Sequence, residues 1–396
     1  MKLCALVTWW FKTAKFASEL FFMKYYIIAG EASGDLHGSN LIKELHRQDP
    51  AADIRCWGGD KMQAAGATLV KHYRDLAFMG FTEVIKNLPT IFRNLAFCKK
   101  DILAYQPDAL ILIDYPGFNL RIAKWAKQQG LKIIYYISPQ VWAWKENRVN
   151  GIKKNVDKML VILPFEKDFY KKWNYEVEYV GHPLVEVIDD FIETHAGSEV
   201  PLTQKNAGAV ALLPGSRQQE ILKKLPIMLQ VAEHFPDYSF VVAKAPGLED
   251  DFYNELLKPY KNVYAVVGKT YDLLYRSKAA LVTSGTATLE TALFAVPEVI
   301  CYKGNSISYE IAKRLIKIKF IGLVNLIMDK EVVKELIQHE LTVENLRKEL
   351  QILLHDTDRK MLLQKDYAAL KKLLSAGGHA SSNAAKSIVT FLRNKS

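Results

Sequence analysis

Short runs with hardly a polar side chain recur along this chain, and they restrict its fold more than any other feature. Ala109–Asp114 reads ALILID and Lys132–Ile137 reads KIIYYI. Side chains alternate across a sheet, so a strand apolar at every position must be covered on both faces. Similar strands are expected at Tyr25–Ala29, Ile54–Trp57 and Lys158–Leu163. Segments of helical spacing, Gly38–Arg47 and Leu120–Gln129, lie between them. The rhythm restarts with strands at Ala209–Leu213, Ser239–Ala243, Val263–Val267 and Ala279–Thr283, and helices at Gln219–His234 and Ala287–Phe294. Such alternation predicts an α/β protein with parallel sheets. At 396 residues the chain is too long for one simple core. The expected fold is two doubly wound, Rossmann-like lobes with an interdomain cleft, where ligands meet the carboxyl ends of strands.

The expected organisation has five parts. Residues 1–22 form a loose extension, because Met23 opens what reads as the true first strand. Residues 23–183 form the first lobe. Residues 184–207, rich in charge with Gly197 and Pro201, suit a linker. Residues 208–370 form the second lobe, and residues 371–396 a helical tail.

Composition narrows the function classes. Lys and Arg number 53 against 43 Asp and Glu, a net charge of +10, which favours phosphates or an anionic surface. Basic residues show no dense tract, which argues against nucleic acid. The four cysteines, Cys4, Cys56, Cys98 and Cys301, are far apart without metal-ligand spacing, so a reducing, cytoplasmic compartment and no metal site are expected. No run of 18 apolar residues exists, so no transmembrane helix is expected.

Chemistry is sought just after each strand. The strand ending at Ala29 runs into Gly30-Glu31-Ala32-Ser33-Gly34-Asp35, where glycines permit close backbone approach to a ligand. Ser33 or Asp35 would equally cap a helix. Leu213 is followed by Pro214-Gly215-Ser216-Arg217, and a guanidinium there suits a diphosphate. Thr283 is followed by Ser284-Gly285-Thr286-Ala287-Thr288-Leu289-Glu290. Small hydroxyl residues opening a helix turn its amides to a phosphate, and Glu290, one turn on, can accept from ribose hydroxyls. Asp114 ends the most apolar strand, in low-dielectric surroundings that raise a carboxyl pKa and suit a general base. A turn-capping role fits Asp114 equally well. The Asp356-Thr357-Asp358 triplet lies in the charged helical tail rather than after a strand, which argues against a metal–diphosphate site.

Two segments are rich in exposed-type apolar residues among cations. Leu76–Phe97 contains Met79, Phe81, Leu88, Ile91 and Phe92, with Lys86 and Arg93 among them; Ile311–Ile321 carries Lys313, Arg314, Lys317 and Lys319. Each is read either as a packed helix with a basic outer face or as a patch for lipid and acyl chains.

The strings AGEASGD, MGFTEV, LIDYPGFN, SPQVWAW, LPFEKDFY, VGHPL, LLPGSR and SGTATLE occur in one order. Together they resemble the lipid-A-disaccharide synthases, inverting glycosyltransferases of family 19, from residue 24 to about 390. The resemblance implies a GT-B-like fold and a reaction joining UDP-2,3-diacylglucosamine to 2,3-diacylglucosamine 1-phosphate (lipid X), with UDP released and neither cofactor nor metal required. It further implies Asp114 as base for the acceptor 6-hydroxyl, with Glu31, Ser33, Gly34, Asp35 and Asn119 around the acceptor. UDP would meet Gly215, Ser216, Arg217, Ser284, Gly285, Thr286, Glu290 and Asn325. Val324 stands where the family usually has Pro before that Asn. The implied location is the cytoplasmic face of the inner membrane, held peripherally on its anionic surface, with Met79, Phe81, Leu88, Ile91 and Phe92 towards the acyl chains; a homodimer is compatible. Two other readings remain open: a UDP-N-acetylglucosamine 2-epimerase-like enzyme, and a non-enzymatic basic membrane-binding protein.

Overall fold

The computed structural model describes residues 23–76, 88–195, 208–245, 248–305, 309 and 319–394. The chain divides into two units, Met1–Pro183 with Gly377–Ser396, and Leu184–Ala376.

The first unit carries a seven-stranded sheet of β1 Lys24–Ala29, β2 Asp53–Gly58, β3 Thr68–His72, β4 Ala109–Ile113, β5 Lys132–Tyr136, β6 Lys158–Val161 and β7 Glu178–Tyr179. Its order is β3-β2-β1-β4-β5-β6-β7, and every pairing is parallel. Odd residues of β1 and β4 (Tyr25, Ile27, Ile111, Ile113) pack with helices Ala32–Gln48 and Ala380–Arg393. Even residues (Tyr26, Ile28, Leu110, Leu112) pack with helices Leu88–Tyr105, Pro116–Gln128 and Val149–Asn155. Both faces are therefore closed, which accounts for the uninterrupted apolar strands.

The second unit carries β8 Ala209–Leu213, β9 Ser239–Lys244, β10 Val263–Val267, β11 Ser277–Thr283, β12 Glu298–Tyr302 and β13 Lys334–Ile337. They form a parallel sheet in the order β10-β9-β8-β11-β12-β13.

Several details differ from the sequence reading. Residues 183–195, assigned to a linker from 184 onwards, form helix Pro183–His195. Its proline occupies the first helical turn, where the missing N–H costs nothing. Leu184, Val185 and Ile188 are buried on one face, and Phe191 meets the rings of Tyr271, Tyr275 and Phe294. The tail is not separate. Helix Thr357–Ser375 belongs to the second unit, and the chain re-enters the first at Gly377. There helix Ala380–Arg393 packs on helix Ala32–Gln48, burying Ala384, Ala385, Ile388 and Leu392. Strands β3, β7, β12 and β13 escaped the reading. β7 has two residues, and β13 (KELI) sets two charged residues before two apolar ones in a stretch that otherwise reads as helical. Residues 1–22, including Cys4, lie outside the described residues, whereas Cys56, Cys98 and Cys301 are buried free thiols.

Ile388 fills the core of the first unit although it stands 209 positions beyond that unit's last strand residue, Tyr179. Ile388→Ala is expected to lower unfolding stability by about 2–4 kcal/mol, read as a reduced denaturant midpoint.

Candidate functional site

In each sheet the strand order reverses once, between β1 and β4 and between β8 and β11. Connections leave such neighbours on opposite faces, so their carboxyl ends stand uncovered and form the natural ligand position.

In the first unit Ala29 pairs with Ile113, which sets Gly30 and Glu31 beside Asp114 and Tyr115. Asp114 (φ 42°) and Tyr115 (φ 48°) both adopt the left-handed region, unfavourable for residues with a Cβ. Buried polar groups hold this turn. The Asn119 amide donates to the carbonyls of Asp114 (2.8 Å) and Ile113 (3.2 Å), and the Tyr135 hydroxyl donates to that of Asp114 (2.5 Å). The Tyr115 ring lies against Gly30, where an added Cβ would come within 2.3 Å of it, so only glycine fits. Burial, reinforced by the negative charge of Glu31 and opposed by the Tyr115 N–H, raises the Asp114 carboxyl to about 7. This is the pKa of a group able to take a proton near neutrality.

The remaining first-loop residues divide. Helix Ala32–Gln48 begins six positions earlier than Gly38, so Ser33, Gly34 and Asp35 lie in its first turn. Ser33 is exposed and Glu31 half-buried. Asp35 turns inward and is 3% exposed. Its carboxylate accepts from the N–H groups of Gly59 (2.8 Å), Met62 (3.0 Å) and Lys61 (3.2 Å). Expected near the acceptor, Asp35 instead anchors the start of helix Asp60–Ala64. Asn119 is fully buried and acts through the Asp114 turn rather than on a ligand directly.

In the second unit Leu213 pairs with Val282. A cavity of about 340 Å³ opens there, lined by Gly215 and Ser216, by Ser284, Gly285 and Thr286, and by Glu290. Helix Thr286–Leu293 points its N-terminus at this space, the arrangement that favours an anion. Glu290 accepts from the Tyr271 hydroxyl at 3.1 Å, and burial raises its carboxyl pKa. Arg217 does not line the cavity but stands beside it, more than half exposed, with its guanidinium 3.2 Å from Glu220. Buried Lys224 approaches the same carboxylate at 3.9 Å, and desolvation lowers its ammonium pKa.

Asn325 departs most from expectation. It is fully buried; its amide donates to Val333 O (2.8 Å) and Glu335 (2.9 Å) and accepts from the N–H groups of Val332 (2.7 Å) and Val333 (3.0 Å). With every donor and acceptor engaged inside the protein, it holds the fold beside the cavity and has no capacity left for a nucleotide.

Of the residues assigned to membrane or acyl contact, Met79 and Phe81 lie outside the described residues. Leu88 opens helix Leu88–Tyr105. Ile91 packs inward against the core and so does not form an exposed patch, whereas Phe92 is 61% exposed. The basic stretch from Ile311 is described only from Lys319 onwards. Asp356 of the Asp-Thr-Asp triplet caps helix Thr357–Ser375 by accepting from Arg359 N–H at 2.9 Å. Among the described residues no cluster of three His, Cys, Asp or Glu is arranged to hold a metal, and no helix is long and apolar enough to cross a membrane.

The cavity has walls that sequence reading missed: Thr283, Glu220, Lys244 and Thr270. Lys244 ends β9, and Thr270 opens the helix after β10, so the strand-end rule would have found both had it been applied to every strand. The Thr283 hydroxyl is buried with no hydrogen-bond partner among the described residues.

Two parallel α/β units, each with a polar loop cluster at its switch point, define a GT-B-like protein. Solved structures of that shape include UDP-GlcNAc 2-epimerase from Neisseria meningitidis bound to UDP-GlcNAc (TM-score 0.66, 13% identity, 94% of this chain and 100% of that one). The calicheamicin glycosyltransferase CalG4 is also similar (TM-score 0.61, 15% identity, 94% and 98% of the two chains). At these identities the likeness is one of fold. The sequence narrows it: a family model described as lipid-A-disaccharide synthetase matches residues 25–391. The lipid-A-disaccharide synthase of Geobacter metallireducens is 40% identical over 357 residues, covering 89% of this chain and 93% of that protein. That of Nitrosococcus oceani is 40% identical over 357 residues, covering 89% and 92%. The chain belongs to the lipid-A-disaccharide synthase family.

The structural reading of Asp35 has a direct check. Asp35→Ala strands three backbone N–H groups and is expected to lower stability by about 3 kcal/mol in a denaturant titration, while the affinity of the folded protein for UDP stays unchanged.

Proposed function

We propose that this chain is an inverting glycosyltransferase that joins UDP-2,3-diacylglucosamine to 2,3-diacylglucosamine 1-phosphate. The products are the β-1,6-linked disaccharide 1-phosphate, a lipid A precursor, and UDP. Membership of the family over residues 25–391, with Asp114 held as a base-competent carboxyl in the turn that the family string predicts, carries the reading.

In this reading the second unit holds UDP. The diphosphate takes the N-terminus of helix Thr286–Leu293 and the hydroxyls of Ser216 and Thr286, Ser284 lines the same wall with its hydroxyl held by the Ile321 carbonyl, and Glu290 takes the ribose. Arg217 supplies positive charge for the oxygen released when the anomeric C–O bond breaks. The first unit holds the acceptor. Asp114 removes the 6-hydroxyl proton as that oxygen bonds to the anomeric carbon from the face opposite UDP, and the electron pair of the broken bond leaves on the diphosphate. Glu31 and Ser33 border the acceptor. Phe92, exposed on a helix flanked by cations, supports peripheral docking on the anionic cytoplasmic leaflet, where acylated substrates reside.

Incubation of the purified protein with UDP-diacylglucosamine and lipid X tests the reading through UDP and disaccharide release. Product that forms only with the acylated acceptor supports it. Conversion of UDP-N-acetylglucosamine to its epimer without an acceptor would replace it with the epimerase alternative.

Asp114 must be ionised to act, and its raised pKa leaves it about nine-tenths protonated at pH 6. The value of kcat/KM is therefore expected to rise with pH through a limb near 7 and level off above it. Asp114→Asn is expected to remove that limb and lower kcat at least about 100-fold with the fold intact. Arg217→Ala is expected to weaken UDP binding about tenfold in calorimetry.

A further inference from the structure

Glu335 lies on β13, the edge strand, and is absent from the cavity lining. It nevertheless determines where part of the cavity wall stands. Its two oxygens accept three hydrogen bonds: Oε2 from Ile321 N–H (2.9 Å), and Oε1 from Gly322 N–H (3.0 Å) and the Asn325 amide (2.9 Å). Gly322 begins helix Leu323–Met328 and offers no side-chain cap, so this carboxylate satisfies the helix start from outside. Ile300 pairs with Glu335 across β12 and β13, and the two side chains form a platform under the backbone. A Cβ on Gly322 would come within 2.2 Å of Ile300 Cδ1 and 3.1 Å of Glu335 Oε1. The 321–322 backbone is therefore held from below by hydrogen bonds and by contact.

That backbone is tied to a residue of the cavity wall. The Ser284 hydroxyl, on the wall, donates to the Ile321 carbonyl at 3.0 Å. The path from cavity to sheet edge thus runs Ser284, Ile321, Glu335, and Asn325 braces the carboxylate from the side.

We propose that Glu335 is a positioning residue for nucleotide binding: it fixes the Ile321 carbonyl, which orients Ser284 and with it the Ser284–Thr286 loop. This rests on the reading that the cavity binds UDP. An ionised carboxylate suits the place because all three of its neighbours are donors. Glutamine, nearly the same shape, presents one oxygen and one amino group, so at least one N–H meets another donor and loses its partner.

The experiment is UDP calorimetry and steady-state kinetics on the full chain. Glu335→Gln is expected to weaken UDP binding about tenfold and to raise KM for the sugar nucleotide similarly, while KM for the acylated acceptor stays within about twofold. Glu335→Asp keeps the charge but is one carbon shorter, and is expected to fall between wild type and Gln. Combined with Ser284→Ala, the Gln variant is expected to lose less affinity than the product of the two single effects, because both act through one contact chain. A purely stabilising role would lower the melting temperature and leave the affinity of folded protein unchanged. Affinity within about twofold of wild type in folded Glu335→Gln, or in Glu335→Asp if the Gln protein does not fold, overturns the proposal. Independent, multiplying effects in the double variant overturn it as well. Wild-type protein that binds no UDP overturns the reading of the cavity and this inference with it.

Discussion

The chemistry of this protein depends on a parallel register at a point of reversal. Ala29 beside Ile113, and Leu213 beside Val282, bring the ends of strands distant in sequence next to each other. Because the connections then depart to opposite faces, no helix covers the two ends. Polar loops can stand there without breaching the apolar layers on both sides of the central strands of each sheet.

What stands at those ends is held by polar groups buried within the protein. The left-handed pair Asp114–Tyr115 is unfavourable by itself and persists because the Asn119 and Tyr135 side chains satisfy the Asp114 carbonyl. Asp35 ties the first helix to the start of helix Asp60–Ala64, and Asn325 ties residues 332–333 to the helix beside the cavity of the second unit. In each case one side chain satisfies several backbone groups, so removal of one contact strands more than one donor or acceptor.

Charge follows the same separation. Asp114 and Glu290 are both raised by burial, but Asp114 has a neighbouring Glu31 and no cation among the causes of its shift, whereas Glu290 is stabilised by a tyrosine hydroxyl. The first arrangement suits a group that must gain a proton. The second suits one that must stay ionised and accept hydrogen bonds. Arg217 and Lys224 share Glu220 beside the cavity of the second unit.

The parallel α/β architecture, most of the strands and the strand-end loops were legible in the sequence, because continuous apolar runs have one physical solution and function follows where they stop. That logic marked Asp114 and the Ser284–Glu290 loop as candidates, with a turn-capping role equally open for Asp114. The amino acids could not reveal which polar residues face a ligand and which face the protein. Asp35 and Asn325 carry the same amide and carboxylate chemistry as binding residues, and only the fold shows their partners to be backbone groups. Nor could they reveal that the last helix completes the first unit, or that a short charged strand such as KELI closes a sheet edge. Local pattern records the burial of a segment, since that depends on its own side chains. Partnership depends on segments hundreds of residues away, and only tertiary structure decides it.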